Sequence, residues 1–541
     1  MTSGTSTQVL IVGGGLGGLI LAILLQRAGI DYFILEQSVI IRPIGTNVVL
    51  SALVLPLMEQ LGLLEEIESR SLPFGGLHFW RDDSSFAGKV IVNNTKILDQ
   101  KERYGHYDQC IPRPDLHNIL LSRIPKHRIK LGKRLVNFQH IRTNSSNDSG
   151  LGDSPTLDSK LSSPSERVMV RCSDGTYYYG DVLVGADGAS SAVRQSLFRQ
   201  MKEEGTLPKV DQEEQQYRQV SLLGVTNPLN SRKHPDLKET FSNFKIILNR
   251  NSPYMSWFMP IRGNRYSWIV TRTLETPVTI NSGNSALSEW GPEATDEMTK
   301  AVRHLVGPDN ASVGDLIDNT DRQLIYKIML EERIFRTWYG GRTVLIGDAC
   351  HKCTPFTGKG ASESMLDAVV LASLLYDMPS SPSSSPSLPS FKDFDALQQV
   401  FCQYYQTRSN AAKESVETSS VFSSLLVRDG WAGNLMRKIA FALNGGWVGR
   451  TKMDRIYFHR IQASFLPPVP DRGISPCGPH VPSRRPMIVY YKNSVDNDGS
   501  EGNGRLGGEG GLRESGEDKV LEYARVDEFL TGTTLPGTTP L

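Results

Sequence analysis

The sequence has few cysteines, almost no net charge and no long hydrophobic run, and each shortage excludes a class of protein. Six cysteines scattered over 541 residues are too few for a disulfide scaffold, so a reducing compartment is expected. The 59 basic and 58 acidic residues leave a net charge of +1, which argues against a protein that coats nucleic acid. The composition therefore predicts a soluble, cytoplasmic globular protein without nucleic-acid partners.

The apolar segment near the N-terminus, residues 9–25, fits neither a signal peptide nor a membrane span. No charged residue precedes Arg27, whereas a signal peptide has a basic region before its apolar stretch. A membrane-spanning helix needs about 20 apolar residues, and this run is shorter and contains five glycines. A second segment, residues 431–450, is short and amphipathic, so membrane association stays open.

A glycine-rich turn lies between the first predicted strand, residues 8–12, and the helix that follows it. Gly13, Gly15 and Gly18 satisfy the spacing GxGxxG. The first glycine permits a tight turn, the second lets a pyrophosphate approach, and the third allows the helix to pack closely. Glu36 ends the next strand, where a carboxylate can accept hydrogen bonds from a ribose 2′-hydroxyl. The turn is predicted to bind a dinucleotide, and both NAD and FAD fit it.

Two later segments repeat the pattern of an apolar strand that ends in a turn. One ends in Asp187-Gly188 and leads into a helix, and the other ends in Gly347-Asp348. The loop 355–361, which contains two glycines, then precedes a further helix. An ordinary NAD dehydrogenase would not explain these two motifs.

The three motifs, in this order over roughly residues 8–376, resemble the single-component, group A FAD-dependent monooxygenases of the p-hydroxybenzoate hydroxylase fold. The likeness is strongest to the fungal branch that epoxidises or hydroxylates meroterpenoids and indole diterpenes. The resemblance implies an α/β fold with a Rossmann-like FAD-binding domain, an antiparallel β-sheet substrate domain and a helical C-terminal region. Aromatic and β-branched stretches between residues 215 and 273 fit the antiparallel sheet.

The resemblance and the composition together predict the domain boundaries. Stretches rich in Ser, Pro or Gly at 144–165, 379–390 and beyond 497 indicate a disordered insertion, a linker and a disordered tail. The predicted division is 1–110 and 111–215 for two parts of the FAD-binding domain, 216–335 for the substrate-binding sheet, 336–376 for the third FAD-binding part, 377–390 for the linker, 391–480 for the helical region and 481–541 for a mostly disordered tail.

The resemblance also implies which residues contact the cofactor. By position they are Gly13, Gly15, Gly18, Glu36, Gly45, Arg113, Asp187, Gly188, Asp348, Gly358, Gly360 and Ala361. Glu36 corresponds to the carboxylate that binds the adenosine ribose, and Asp348 to the one that binds the ribityl chain. Asp187 corresponds to a residue that serves FAD and the approaching NADPH.

Arg194 and Tyr217 resemble positions that are catalytic in the fungal branch. The alternatives are a helix cap or ion pair for Arg194 and a buried strand aromatic for Tyr217. Lys359 stands where the family commonly has glutamine, so it either stabilises reduced flavin or points to solvent.

The implied function is oxygenation in secondary metabolism. NAD(P)H reduces FAD, O2 forms a flavin hydroperoxide, and a small aromatic, polyprenylated or terpenoid-like substrate is hydroxylated or epoxidised. A non-catalytic FAD-binding scaffold or sensor, and a flavin-dependent halogenase, stay as alternatives. Residues 257–260 lack the tryptophan pattern typical of halogenases.

Several other side chains invite simpler interpretations. The sequence Cys350-His351-Lys352-Cys353 suggests a metal site or a dithiol switch, but zinc needs about four ligands and no second pair follows. No metal is therefore predicted. Arg408 is predicted to lie on a solvated helix face, as is Lys413, and the aromatic residues of the second region are predicted to form a core or a substrate pocket.

Overall fold

The computed structural model describes most of the chain up to residue 485. The described ranges are 5–41, 45–82, 89–94, 99–143, 165–214, 216–249, 252–279, 292–379, 389–427, five residues between 433 and 440, 447–485, 487–489 and 522–524. Most of the predicted insertion 144–165, linker 379–390 and tail beyond 497 lies outside these ranges, as does most of the amphipathic segment 431–450.

The helices flank and connect the two main sheets. They are α1 Leu16–Arg27, α2 Leu55–Gln60, α3 Leu64–Arg70, α4 Gln100–Tyr104, α5 Arg113–Leu121, α6 Ala192–Glu203, α7 Pro292–Ala301, α8 Val313–Asp318, α9 Gly360–Tyr376, α10 Phe394–Val427 and α11 Trp447–Ile456.

The strands fall into two large sheets and two small ones. They are β1 Thr5–Val12, β2 Tyr32–Leu35, β3 Asn47–Leu50, β4 Leu72–Asp82, β5 Lys89–Asn94, β6 Gln109–Pro112, β7 Ile129–Lys130, β8 Leu135–Thr143, β9 Ser165–Cys172, β10 Tyr177–Gly185, β11 Gln216–Val225, β12 Ser242–Asn249, β13 Tyr254–Ile261, β14 Arg265–Thr279, β15 Tyr326–Leu330, β16 Arg333–Ile334, β17 Tyr339–Gly340, β18 Thr343–Leu345, β19 His351–Lys352, β20 Met487–Val489 and β21 Glu522–Ala524.

The first sheet brings the three motifs to one edge. Within the described residues its strand order is β17-β18-β10-β1-β2-β7, with the hairpin β8-β9 beyond β10. β1 is parallel to β2 and β10, and β10 is parallel to β18. Each of the three motif turns follows the carboxyl end of β1, β10 or β18, and the carboxyl ends of parallel strands meet at one edge of a sheet. The predicted βαβ opening is confirmed to within three residues at each end.

The second sheet is mostly antiparallel. Among the residues described, its order is β15-β11-β14-β13-β12-β4-β6-β3, with β5 beside β4. The predicted strands around Trp257 and Trp268 are β13 and β14, and both indoles are buried. β3, β4 and β6 come from the predicted first part of the FAD-binding domain and its boundary, yet they pair in this second sheet. The α/β fold class is confirmed, whereas the domain boundaries stay a prediction.

Helix α10 packs one face against helix α9. The fully buried positions recur every three or four residues, as expected for one face of a helix, at Leu397, Phe401, Tyr404, Arg408, Ala412 and Ser415. Arg408 is only 3% exposed, so the prediction of a solvated face is wrong for this residue. It is correct for Lys413, whose side chain is 61% exposed.

None of the described helices combines the length and the apolar character that crossing a bilayer requires. The apolar residues 9–25 form β1 and α1 instead, where most of them are buried in the first sheet's core.

Candidate cofactor site

The first glycine turn connects β1 to α1 and leaves one open position. Gly13 has φ 109°, and a Cβ there would lie 2.4 Å from the Ala186 carbonyl oxygen, so only glycine fits. A Cβ on Gly18 would lie 2.2 Å from the Gly13 carbonyl oxygen. At Gly15, by contrast, a Cβ would meet nothing within 4 Å. The backbone is therefore accessible at the helix N-terminus, where unpaired N–H groups favour an anion.

Two side chains hold the glycine turn from outside. Glu36 accepts hydrogen bonds from the backbone N–H of Gly14 (2.8 Å) and of Ser38 (2.8 Å). The Nε2 atom of His117 on α5 lies 2.8 Å from the Gly14 carbonyl oxygen. Burial lowers the pKa of His117, so the neutral ring donates from Nε2. Sequence reasoning missed His117, because one histidine on a helix carries no motif.

The Asp187 carboxylate caps helix α6. It accepts hydrogen bonds from the Ser191 hydroxyl (2.6 Å) and from the N–H groups of Ala192 (2.7 Å) and Val193 (3.1 Å). Burial raises its pKa, while these hydrogen bonds act in the opposite direction. Gly188 follows with φ 78° and open space at its Cβ position. The carboxylate is thus engaged within its own turn.

Arg194 connects the second and third motifs. Its guanidinium donates to the Ala189 carbonyl oxygen (2.6 Å) in the Asp-Gly turn and to the Ala349 carbonyl oxygen (2.9 Å) in the Gly-Asp turn. The same group lies 4.4 Å from the centre of the Phe335 ring, and only 5% of the residue is exposed. Arg194 therefore fixes the two turns relative to each other.

Asp348 lies in the turn after β18, half-buried, and its carboxylate has no hydrogen bond to any described residue. Burial raises its pKa, and the cations of Lys352, His351 and Arg113 oppose that rise. A half-buried carboxylate with free acceptor capacity suits hydroxyl groups of a ligand.

The loop before α9 approaches β3. Gly358 has φ 65°, and a Cβ there would lie 3.2 Å from the Cβ of Val49. Lys359 occupies the N-cap position of α9, and Gly360 begins the helix.

The loop before β3 packs directly on Arg113, because a Cβ on Gly45 would lie 2.7 Å from the Cδ of that side chain.

A buried charge cluster anchors α9 to α10. Arg408 pairs with Asp367 (Nε to Oδ1, 2.8 Å) and with Glu363 (Nη2 to Oε2, 2.5 Å). The other Asp367 oxygen accepts from His351 Nε2 (2.6 Å) and from the Gly347 N–H (2.8 Å). Burial alone would raise the pKa of Asp367, but the His351 and Arg408 cations lower it to about 2. The cluster thus couples the helix to the turn that carries Asp348.

The Cys350, His351 and Asp367 ligand atoms lie within 4.8 Å of one another, which is close enough to share a cation. Both Asp367 oxygens already accept hydrogen bonds, and the Arg408 guanidinium supplies the positive charge. All six cysteines are free thiols. The arrangement is that of a buried ion-pair network.

Tyr217 lies on β11 near a second buried acid. Burial and the adjacent Glu331 carboxylate raise the pKa of Tyr217, and the Arg194 cation opposes that rise. Glu331 is 5% exposed, and its Oε1 accepts from Lys352 Nζ (3.0 Å). The structure therefore brings Arg194 and Tyr217 into one neighbourhood, together with a carboxylate that sequence reasoning missed.

The three motif turns lie side by side. The Gly13 turn touches Ala186 and Asp187 of the second motif, and Ser364 of α9 touches both Gly17 of α1 and Gly347 of the third motif. We call the strip of chain along these turns the groove. Of the predicted cofactor residues, Gly13, Gly15 and Gly18 lie in the first turn with Glu36 bonded to it, and Asp348, Gly358, Gly360 and Ala361 follow β18. Gly45 precedes β3 and contacts Arg113 of α5.

These features fit FAD. The open Gly15 position would admit a pyrophosphate, and the Asp348 carboxylate would face sugar hydroxyls. The α9 N-terminus would face the electron-rich ring edge. The fold and the site together define a dinucleotide-binding protein of the flavoprotein type.

The chain belongs to the FAD-binding domain family, whose profile matches residues 6–380. It is 28% identical over 429 residues to the FAD-dependent monooxygenase ptmM of Penicillium ochrochloron, covering 78% of this chain and 90% of that protein. It is 27% identical over 382 residues to the FAD-dependent monooxygenase ctvC of Aspergillus terreus, covering 69% of this chain and 71% of that protein.

A solved structure shares the fold. Klebsiella pneumoniae HpxO, in complex with FAD and uric acid, superposes with a TM-score of 0.58 at 19% identity, covering 84% of this chain and 96% of that one. The predicted p-hydroxybenzoate hydroxylase-like fold is confirmed, and FAD is the cofactor of the family.

Proposed function

We propose that this chain is an FAD-dependent monooxygenase that uses NAD(P)H and O2 to hydroxylate or epoxidise a small aromatic or terpenoid-like molecule of secondary metabolism. The convergence of three turns on one groove supports cofactor binding. The names of the fungal relatives support the reaction class.

The cofactor contacts follow from the groove. In this proposal, Gly13, Gly15 and Gly18 form the pyrophosphate cradle, and Glu36 faces the adenosine ribose, as predicted from the sequence. Asp348 accepts hydrogen bonds from the ribityl hydroxyls, for which its free oxygens are suited. The Asp187 carboxylate shapes the Asp-Gly turn by capping α6.

The site's own residues prepare the flavin end. When bound and reduced by NAD(P)H, FAD supplies the chemistry that activates dioxygen. The N–H groups of Gly360 and Ala361 stand at the positive end of α9, which favours negative charge on the ring. We assign Arg194 a positioning role, because its donors are used on two backbone carbonyls. Tyr217 stays a candidate catalytic residue beside Glu331.

Reconstitution tests this function. Purified protein should bind FAD, turn yellow, and oxidise NAD(P)H faster when its substrate is present, with one oxygen atom from 18O2 found in the product. Comparing metabolite extracts incubated with and without the enzyme would reveal that product. FAD-loaded protein that yields no oxygenated product from any extract would support the scaffold or sensor alternative instead.

A further inference from the structure

A cavity of about 250 Å³ lies beside the loop that precedes α9. Gly358 and Lys359 form part of its wall, so it adjoins the flavin end of the groove. Further lining comes from Met453 and Ile456 of α11 and from Tyr457 directly after it. The cavity is therefore lined both by the C-terminal region and by residues of β3, β4 and α4.

Most of the cavity wall is apolar. Val49 of β3, Phe74 and Leu77 of β4, and Met453 and Ile456 of α11 line it. Such a wall favours a hydrophobic ligand, because apolar contact removes its surface from water.

The carboxylate of Asp108 is held in place at this cavity by hydrogen bonds. The Asp108 carboxylate accepts from the Ala52 N–H (Oδ1, 2.7 Å) and from the Tyr457 hydroxyl (3.3 Å to Oδ1 and 3.1 Å to Oδ2). Gln100 holds the tyrosine by donating from Nε2 to its hydroxyl oxygen (2.9 Å). Stacking of Tyr457 on Tyr104, with centroids 4.2 Å apart, fixes the ring.

The Oδ2 atom of Asp108 keeps acceptor capacity. Among the described residues the Tyr457 hydroxyl donates to it (3.1 Å), and the Gln100 side chain also acts on this carboxylate, whereas the two oxygens together offer about four acceptor sites. The Tyr457 proton is already directed at Asp108. A bound molecule with a hydrogen-bond donor can therefore supply a further hydrogen bond to this carboxylate.

The charges around the cavity balance. Arg103 pairs with Asp454, and Arg450 lies 3.6 Å from Asp99. Burial raises the pKa of the Asp108 carboxyl, and the nearby Lys359 cation opposes that rise. A neutral ligand with one hydrogen-bond donor fits this balance better than a second cation.

We propose that this cavity binds the substrate, that the substrate is an apolar molecule with a phenol or enol hydroxyl, and that Asp108 is the specificity-determining residue that accepts the hydroxyl hydrogen bond. This inference rests on the proposed function, because the neighbouring flavin end makes the ligand a substrate.

A pair of probes isolates the hydroxyl. FAD-loaded enzyme is titrated with 2-naphthol and with 2-methoxynaphthalene, which lacks the donor, by calorimetry and by the change in the flavin absorption spectrum. Wild type should bind 2-naphthol at least about 10-fold more tightly, because only 2-naphthol can donate a hydrogen bond to the Asp108 carboxyl group. Asp108→Asn should bring the two affinities together while retaining 2-methoxynaphthalene.

Tyr457→Phe provides a second variant, because Asp108 then keeps its acceptor oxygens and loses its orienting partner. It should reduce the affinity ratio only in part. Asp318→Asn, on the exposed surface of α8, is the matched control and should leave the ratio unchanged. Equal binding of both probes to wild type, no binding of either, or a ratio preserved in Asp108→Asn would overturn the inference.

Flavin content and oxygen consumption, recorded on the same samples, separate this inference from the proposed function. If the enzyme oxygenates an extract component but binds the two probes equally, only the assignment of the cavity is refuted. If the FAD-loaded protein distinguishes the probes but yields no oxygenated product, the proposed reaction is refuted and the binding site is supported.

Discussion

The groove and the cavity lie next to each other, but the groove is formed mainly by backbone atoms and the cavity by side chains. The groove uses backbone at the ends of parallel strands, so its requirements fall on glycines with defined spacing. The cavity uses side chains from segments as distant as Val49, Asp108 and Tyr457. The contrast shows that a backbone site is visible in a sequence, whereas a side-chain site is created by packing.

The largest expected effects come from adding a methyl group at either of two positions in the first glycine turn. Gly13→Ala should abolish FAD retention and impair folding, because the new Cβ would meet Ala186 at 2.4 Å and φ is 109°. Gly15→Ala should lower the unfolding free energy of the apoprotein by at most about 1 kcal/mol. It should still lose most FAD affinity, because its Cβ would enter the open position.

Flavin absorbance per protein and chemical denaturation measure both effects. Full FAD retention in Gly15→Ala would show that the open position is not a cofactor site.

The buried charge cluster provides the second test. Arg408→Met leaves Glu363 and Asp367 without their cation, and should lower the free energy of unfolding by about 3–5 kcal/mol. Lys413→Met, exposed on the same helix, should change it by less than about 1 kcal/mol. Equal values for the two variants in urea denaturation would refute the coupling of α9 to α10.

The protonation of His351 gives a smaller, pH-dependent effect. Burial lowers its pKa, but Asp367 outweighs burial and raises it above the usual value. A folded-state pKa above that of the unfolded chain stabilises the protein fully below about pH 6.5, and this stabilisation is lost as pH rises through the folded-state pKa.

His351→Gln should therefore lower the unfolding free energy more at pH 6 than at pH 9, by about 1 kcal/mol. Denaturation curves at both pH values measure the difference. A constant difference across this range would show that His351 is neutral in the fold.

The smallest expected effect compares helix caps in the two regions. Ser191 caps α6 beside the groove, and Ser312 caps α8 beside the second sheet. Either serine replaced by alanine should cost about 1 kcal/mol of stability. Only Ser191→Ala should also weaken FAD binding, because Ser191 holds the Asp187 turn. The same FAD affinity in both variants would contradict a role for that turn.

The βαβ opening and the three motif turns could be predicted from the sequence, and the family resemblance carried by these motifs indicated FAD. Buried parallel strands are apolar throughout, and the turn at Gly13 tolerates no Cβ, so these demands are local and readable. The structure, not the sequence analysis, revealed the buried face of α10, where Arg408 occupies a core position. The general rule that charged side chains face solvent gave the wrong placement for Arg408, because it does not allow for buried ion pairs such as those with Glu363 and Asp367.

Three features could be seen only in the folded chain: the pairing of β3, β4 and β6 in the second sheet, the Arg194 hydrogen bonds to two turns, and the contact of Asp108 with Tyr457. Those outcomes depend on contacts between residues as many as 349 positions apart. Such contacts produce no periodic pattern in the sequence, because each one forms only when the intervening segments have packed into the fold.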